Sequence, residues 1–323
     1  MSATDWGIGE TRPALYHFFF AIILVMSCDA ERRDSVSHMT DASRMPRLLG
    51  ILGILSVLGV FAVNALGFLD HDTHSGQGCG AQWPLCHGSL IPTFTHEAVL
   101  IEWTHRVLSL VFFLILTAFL IGMRRRYRGH PTVMRTVATV VVLLLFETAL
   151  CTLSVLWTLP AALLGLLALG GLLVQALLGL LVLAVCGAGP STQTPRRWAR
   201  IALLLLLLYL YAGAYSSYHG GAVAWLTGTV HALGILLALT GLVWAGSART
   251  PSERRAALAF AIPALLATSV AHFSRMTVLG DLGVVLWLSW LMTTVLKACL
   301  PPIVFSVYSH SPHLNEFATR IPF

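Results

Sequence analysis

A polar loop carrying two cysteines and a Trp-Pro pair, Cys79 through Trp83-Pro84 to Cys86, runs into an apolar stretch that holds Glu102, His105 and Arg106. An acid, an imidazole and a guanidinium each cost roughly 2.5–3.5 kcal/mol to place inside a bilayer, so three of them in an apolar segment mark a site. Glu102, His105 and Arg106 stand at i, i+3 and i+4, and on a helix they share one face that Ser109 continues. That face must point into a bundle rather than toward lipid.

A neutral imidazole in such a place can ligate haem iron, with its second nitrogen oriented by a hydrogen bond. The Arg106 guanidinium matches a haem propionate in a two-point contact. Glu102 could move a proton or stabilise charge developing at a porphyrin edge. The plainer alternative is a Glu–Arg pair that satisfies itself beside a hydrogen-bonded histidine near the interface. His231 is a second candidate iron ligand, with Gly228 and Gly234 at i−3 and i+3. Those glycines could admit a flat macrocycle, or equally allow close helix packing. His272 could approach His231, or simply bond to backbone at the interface. Glu147 and Gln175 are further polar residues within apolar runs.

Cys79 and Cys86 can form a disulfide if they face an oxidising compartment, or exchange with an extracytoplasmic thiol-disulfide partner. His71, His74, His87 and His96 crowd the same loop, but their spacing follows no standard zinc pattern.

The elements that position these groups follow from composition. The 323 residues are 57% hydrophobic and 11% charged, with mean hydropathy +0.80. That excludes an ordinary soluble domain and implies an all-α polytopic membrane protein. Eight apolar stretches are long enough to span, at roughly 48–69, 98–122, 134–156, 162–186, 200–218, 225–246, 256–274 and 282–305. They read as two pseudo-repeated four-helix bundles, each with a histidine near the outer end of its second span. The implied units are an N-terminal extension over 1–47, a first half over 48–186, a linker over 187–199, a second half over 200–305 and a tail over 306–323. The apolar stretch 14–28 in the extension is short for a span, and the start could equally be Met39 or Met45.

Arginines fall before the first span (Arg44, Arg47), after the second (Arg124, Arg125, Arg126, Arg128), between the fourth and fifth (Arg196, Arg197, Arg200) and between the sixth and seventh (Arg249, Arg254, Arg255). Arg275 is the main exception. This distribution puts both termini in the cytoplasm and the Cys79–Cys86 loop outside a cell membrane. The net charge of +6 is split among short loops, which suits anionic lipid and gives no continuous surface for nucleic acid.

With these residues assembled, Ser75 through Gly88 followed by Ile101-Glu102-Trp-Thr-His105-Arg106 closely resembles the first outer loop and second span of haem A synthases. The resemblance implies eight spans in two halves and oxidation of a haem O methyl group to the formyl of haem A, for assembly of cytochrome oxidase. It implies Cys79 and Cys86 as the outer-loop pair, Glu102 as the catalytic acid, His105 as the adjacent ligand and His231 as the ligand of a haem b cofactor. Implied partners are the lipid bilayer, the haem O-forming enzyme, an electron donor and further copies of the chain. The family also carries iron-ligating histidines in its fourth and eighth spans, and this sequence has none in 162–186 or 282–305. That departure motivates an alternative: a haem-binding assembly or electron-transfer protein of the same fold without synthase activity. A thiol-exchange protein built on Cys79 and Cys86 is a third reading.

Overall fold

A computed structural model describes residues 44–82, 85–94, 96–157, 159–185, 196–219 and 224–248, with residues 254, 257, 258 and 261. It contains six long helices: α1 Arg44–Asp72, α2 Glu97–Arg126, α3 Pro131–Leu156, α4 Ala161–Val185, α5 Arg196–Tyr218 and α6 Ala224–Ser247. All six are long and apolar enough to cross a membrane. They match the first six stretches expected from sequence to within a few residues. The remaining two, 256–274 and 282–305, lie outside the described residues except for 257, 258 and 261. His272 also lies outside them, as do the first 43 residues, most of the linker and the tail. No strand occurs among the described residues, where the only β-type pairing is an isolated bridge between Cys86 and Ser89.

The helix ends have local causes. Pro131 opens α3 at a position where its missing N–H is no loss. Arg124, Arg125 and Arg126 close α2, where positive charge meets the negative end of the helix dipole. Within the helices, Ser56, Thr104, Thr136, Thr148, Thr229 and Thr240 donate their hydroxyls to the carbonyl four residues back at 2.7–3.0 Å. Each hydroxyl is thereby satisfied without water. Large apolar side chains such as Leu114, Val142, Leu145, Leu204 and Leu239 remain exposed along the outer surfaces. Such a surface is compatible with hydrocarbon and not with water.

Packing is organised by α1 and α4. The first lies along α2 and α4, the second also against α3 and α5, and α5 packs on α6. Leu49, Phe119, Met123, Val140, Leu178 and Leu181 form one core among α1 to α4. Leu172, Ala176, Leu206, Leu210 and Leu237 form a second between α4, α5 and α6. Small residues allow the close approach of α1 and α2. A Cβ on Gly59 would run into the ring of Phe112, and one on Gly53 would lie 2.8 Å from Phe119. Gly59→Ala is therefore expected to destabilise the chain by about 1–3 kcal/mol through overpacking. Thermal unfolding in detergent measures this, and Phe112→Leu in the same chain should recover part of the loss. An unchanged melting temperature for Gly59→Ala would contradict the packing described.

Candidate functional site

The loop between α1 and α2 folds around a buried ion pair. Arg106, on α2, is paired with Glu102 one turn earlier, and both side chains are almost fully buried. The Arg106 guanidinium also donates to three loop carbonyls: Nη1 to Leu85 at 2.7 Å and Gln82 at 3.2 Å, and Nη2 to Gly80 at 2.5 Å. Glu102 Oε1 takes the arginine, while Oε2 accepts the backbone N–H of Cys79 at 2.5 Å. Cys79 and Cys86 are joined in a disulfide, with their Cα atoms 4.4 Å apart. Charge-assisted bonds of this kind are the strong ones, and here they determine the path of the loop.

The rest of the loop closes over that centre. His87 donates its Nε2–H to the Gly78 carbonyl at 2.7 Å, and the Trp103 indole N–H donates to Leu90 at 2.8 Å. Phe94 meets the Trp103 ring edge-on, with centroids 5.2 Å apart. Gly78 passes so close to the Ala98 carbonyl that a Cβ would collide with it. Both cystine residues are buried, at 1% and 0% exposure, against Val99 and Trp103. A thiol partner therefore has no access to either sulfur in this fold. Among the described residues no three of His, Cys, Asp or Glu come together to hold a metal ion, so the loop histidines form no such group.

His105 lies half-buried one turn deeper than Glu102 and turns toward α1. Its Nε2 lies 3.7 Å from where a Cβ on Gly67 would sit. The expected common face of Glu102, His105 and Arg106 is thus divided between two neighbours: the acid and the guanidinium serve the loop, and the imidazole faces a glycine. Arg106, expected from sequence to meet a ligand carboxylate, has both terminal nitrogens engaged with the chain itself.

His231 is the eighth residue of α6 and His105 the ninth of α2, so both sit about 10–12 Å along the helix from its first residue. The Nδ1–H of His231 donates to the Thr227 carbonyl at 2.7 Å. That bond places a hydrogen on Nδ1 and sets the orientation of the ring.

Two polar features escaped the sequence reading. Asn64 on α1 donates to Gln175 on α4 at 3.4 Å, with the Asn64 amide in the space left by Gly171. Asp70, near the end of α1, lies beneath Gly76 of the loop and close enough to Glu102 and Arg106 to feel their charge. The available signal was the i, i+3, i+6 stripe of Asn64, Gly67 and Asp70 on one side of an otherwise apolar helix. Glu147, noted from sequence, packs its carboxyl against Gly170, with Oε1 3.1 Å from a Cβ position there.

Six long apolar helices and an ion-paired, disulfide-closed loop define a multi-pass α-helical membrane protein. No family model matches the chain. A haem A synthase from an Exiguobacterium species is 31% identical over 156 residues, covering 47% of this chain and 52% of that protein. One from Bacillus licheniformis is 54% identical over 43 residues, covering 13% and 14%. A protein named protoheme IX farnesyltransferase, from Thermus thermophilus, is 48% identical over 60 residues, covering 18% of this chain and 10% of that one. The chain thus spans about half the length of the Exiguobacterium relative and much less of the other two. These matches relate it to the haem A synthase family.

Proposed function

We propose that the chain is a haem A synthase-type membrane oxidoreductase that oxidises the methyl substituent of haem O to the formyl of haem A. The observation that carries this reading is the loop–helix unit: a disulfide loop held by Glu102 and Arg106, with His105 one turn below. His105 and His231 are the residues that would hold a haem. His105 faces the one position on that stretch of α1 without a side chain, Gly67, and the ring of His231 is oriented by its bond to Thr227. His105 would hold the substrate haem and His231 a haem b. When bound, haem supplies the redox centre for removing electrons from a C–H bond, which no side chain here can provide. Glu102 sets the charge beside the His105 site, and Arg106 holds the loop over it. Neither half draws a second histidine from α4, which has none.

The similar depths of His105 and His231 support two pseudo-repeated four-helix halves, completed by the spans at 256–274 and 282–305. The proposed division is the one given from sequence, with 48–186 and 200–305 as the halves. Arginines at the end of α2 and the start of α5 support cytoplasmic termini and an outward Cys79–Cys86 loop. Haem O would enter laterally from the bilayer or from the enzyme that forms it, a partnership in keeping with the Thermus match.

One observation favours the second reading, a haem-binding assembly or electron-transfer protein: both Glu102 oxygens are already bonded to the chain. Pigment extraction separates the two. The full chain, purified from a haem-replete host and supplied with haem O, is expected to yield haem A. His105→Ala should lower haem content per chain by about half, since one of two ligating imidazoles is removed. Glu102→Ala should lower haem A formation by on the order of 10²-fold. Haem bound but never converted would establish the second reading, and a chain that binds no haem would refute both.

A further inference from the structure

The antiparallel contact between α1 and α2 has a regular register. Leu49 meets Gly122, Gly53 meets Phe119, Gly59 meets Phe112 and Gly67 meets His105. Each step outward along α1 is matched, to within one residue, by a step back along α2. The next turn outward pairs Asp70 with Glu102. The charge of Glu102 acts on Asp70, in agreement with that placement, and the shared roof agrees too: Gly76 covers Asp70, and Cys79 bonds Glu102. The loop is tied to the same point by the Ser75 N–H, which donates to the Asp70 backbone carbonyl at 2.8 Å.

The two carboxylates differ in one respect. Glu102 has a donor on each oxygen. Asp70 Oδ1 is fully buried and has no hydrogen-bond partner among the described residues. The one guanidinium nearby is already committed to Glu102 and three loop carbonyls. A buried carboxyl oxygen lacking a donor is costly, and it persists where something outside the protein's own side chains supplies the proton or hydrogen bond.

We infer that Asp70 is the proton-exit group of the site, taking protons released beside His105 and passing them beneath the loop to the outer aqueous face. This rests on the reaction proposed above and deepens it. Oxidising a methyl to a hydroxymethyl consumes one water and releases two protons and two electrons. Taking the hydroxymethyl to a formyl releases two more of each. The four electrons would leave one at a time through a bound haem to an external oxidant of the dioxygen or quinone class, and the protons need an acceptor with an open lone pair. Glu102 is bonded on both oxygens, while Asp70 Oδ1 is open and sits one turn outward of Gly67, the residue that faces His105. The charged and titratable groups around Asp70 are Glu102, His105 and Arg106 of α2, Cys151 of α3, and His71 and His74 beside it in the chain.

The test uses the full chain in lipid nanodiscs, with Asp70→Asn and Asp70→Glu. Haem O conversion is followed against pH, and carboxyl bands are followed by infrared spectroscopy. Asp70→Asn is expected to slow haem A formation by on the order of 10²-fold and to alter its pH profile, at unchanged haem O affinity. Asp70→Glu should restore most of the rate. The infrared band lost in Asp70→Asn should respond to bulk pH in the wild-type chain. If Asp70→Asn keeps the wild-type rate and profile, or both variants only lose haem and thermal stability, the inference is overturned. Should the wild-type chain make no haem A, the proposed reaction fails on its own. The infrared band then decides for Asp70: a band that follows bulk pH sustains proton exchange with the aqueous face, and a fixed band refutes it.

Discussion

Replacing Arg106 with leucine is expected to release the outer loop from α2 and to destabilise the chain by about 3–5 kcal/mol, the usual effect of removing one partner from a buried ion pair. The guanidinium is bonded to Glu102 and to the carbonyls of Gly80, Gln82 and Leu85. Its loss leaves a buried carboxylate without its counter-charge and three carbonyls without their donor. Arg106→Lys should fall between the wild type and Arg106→Leu, because an ammonium lacks the planar fork that reaches both the acid and the loop. Glu102→Leu combined with Arg106→Leu should recover part of the loss, since no unpaired charge then stays buried. Thermal unfolding measures the stability. Reduction of the Cys79–Cys86 bond by dithiothreitol, followed by alkylation, measures loop release. A leucine variant whose disulfide resists reduction as well as the wild type would show that the loop is held by something else.

This centre was only half legible in the sequence. The spacing of Glu102 and Arg106 makes a helical ion pair the plain reading, and that pair is present. The sequence does not say which way it turns. Rotation of a helix about its axis is set by its neighbours, and here the loop carbonyls draw the arginine away from any ligand. His105, only three residues from Glu102, turns toward α1 instead because Gly67 leaves room there. The six described helices were legible because an uninterrupted apolar run of about 20 residues has few alternatives in a bilayer. Asn64 and Asp70 were not, because a single polar letter in such a run gains meaning only from a partner far along the chain. Gln175 supplies that meaning for Asn64, 111 positions away, and Glu102 supplies it for Asp70 once the α1–α2 register is known. Glycines proved more informative than their composition implied: Gly53, Gly59 and Gly67 record where α2 comes closest.

Removing the disulfide by Cys79→Ser with Cys86→Ser is expected to destabilise the chain by about 2.5 kcal/mol in the chain-entropy model, since the bridge closes a short loop. The entropic figure is not the whole effect. The Cys79 N–H is itself the donor to Glu102 Oε2, and Arg106 bonds the carbonyls of Gly80, Gln82 and Leu85 that lie between the two cysteines. Covalent and ionic ties therefore hold one segment, and each keeps the other's geometry in place. Combining the serine pair with Arg106→Leu should cost less than the two changes measured separately, because a loop already released cannot be released again. A coupling of about 0.5–3 kcal/mol is the range for residues sharing one network. Strict additivity in denaturant unfolding would mean that the bridge and the ion pair stabilise independent structures, and the loop would then have no single anchoring centre. Strong coupling would make the outer loop and the start of α2 one cooperative unit, with Glu102 positioned by the bridge as well as by its arginine.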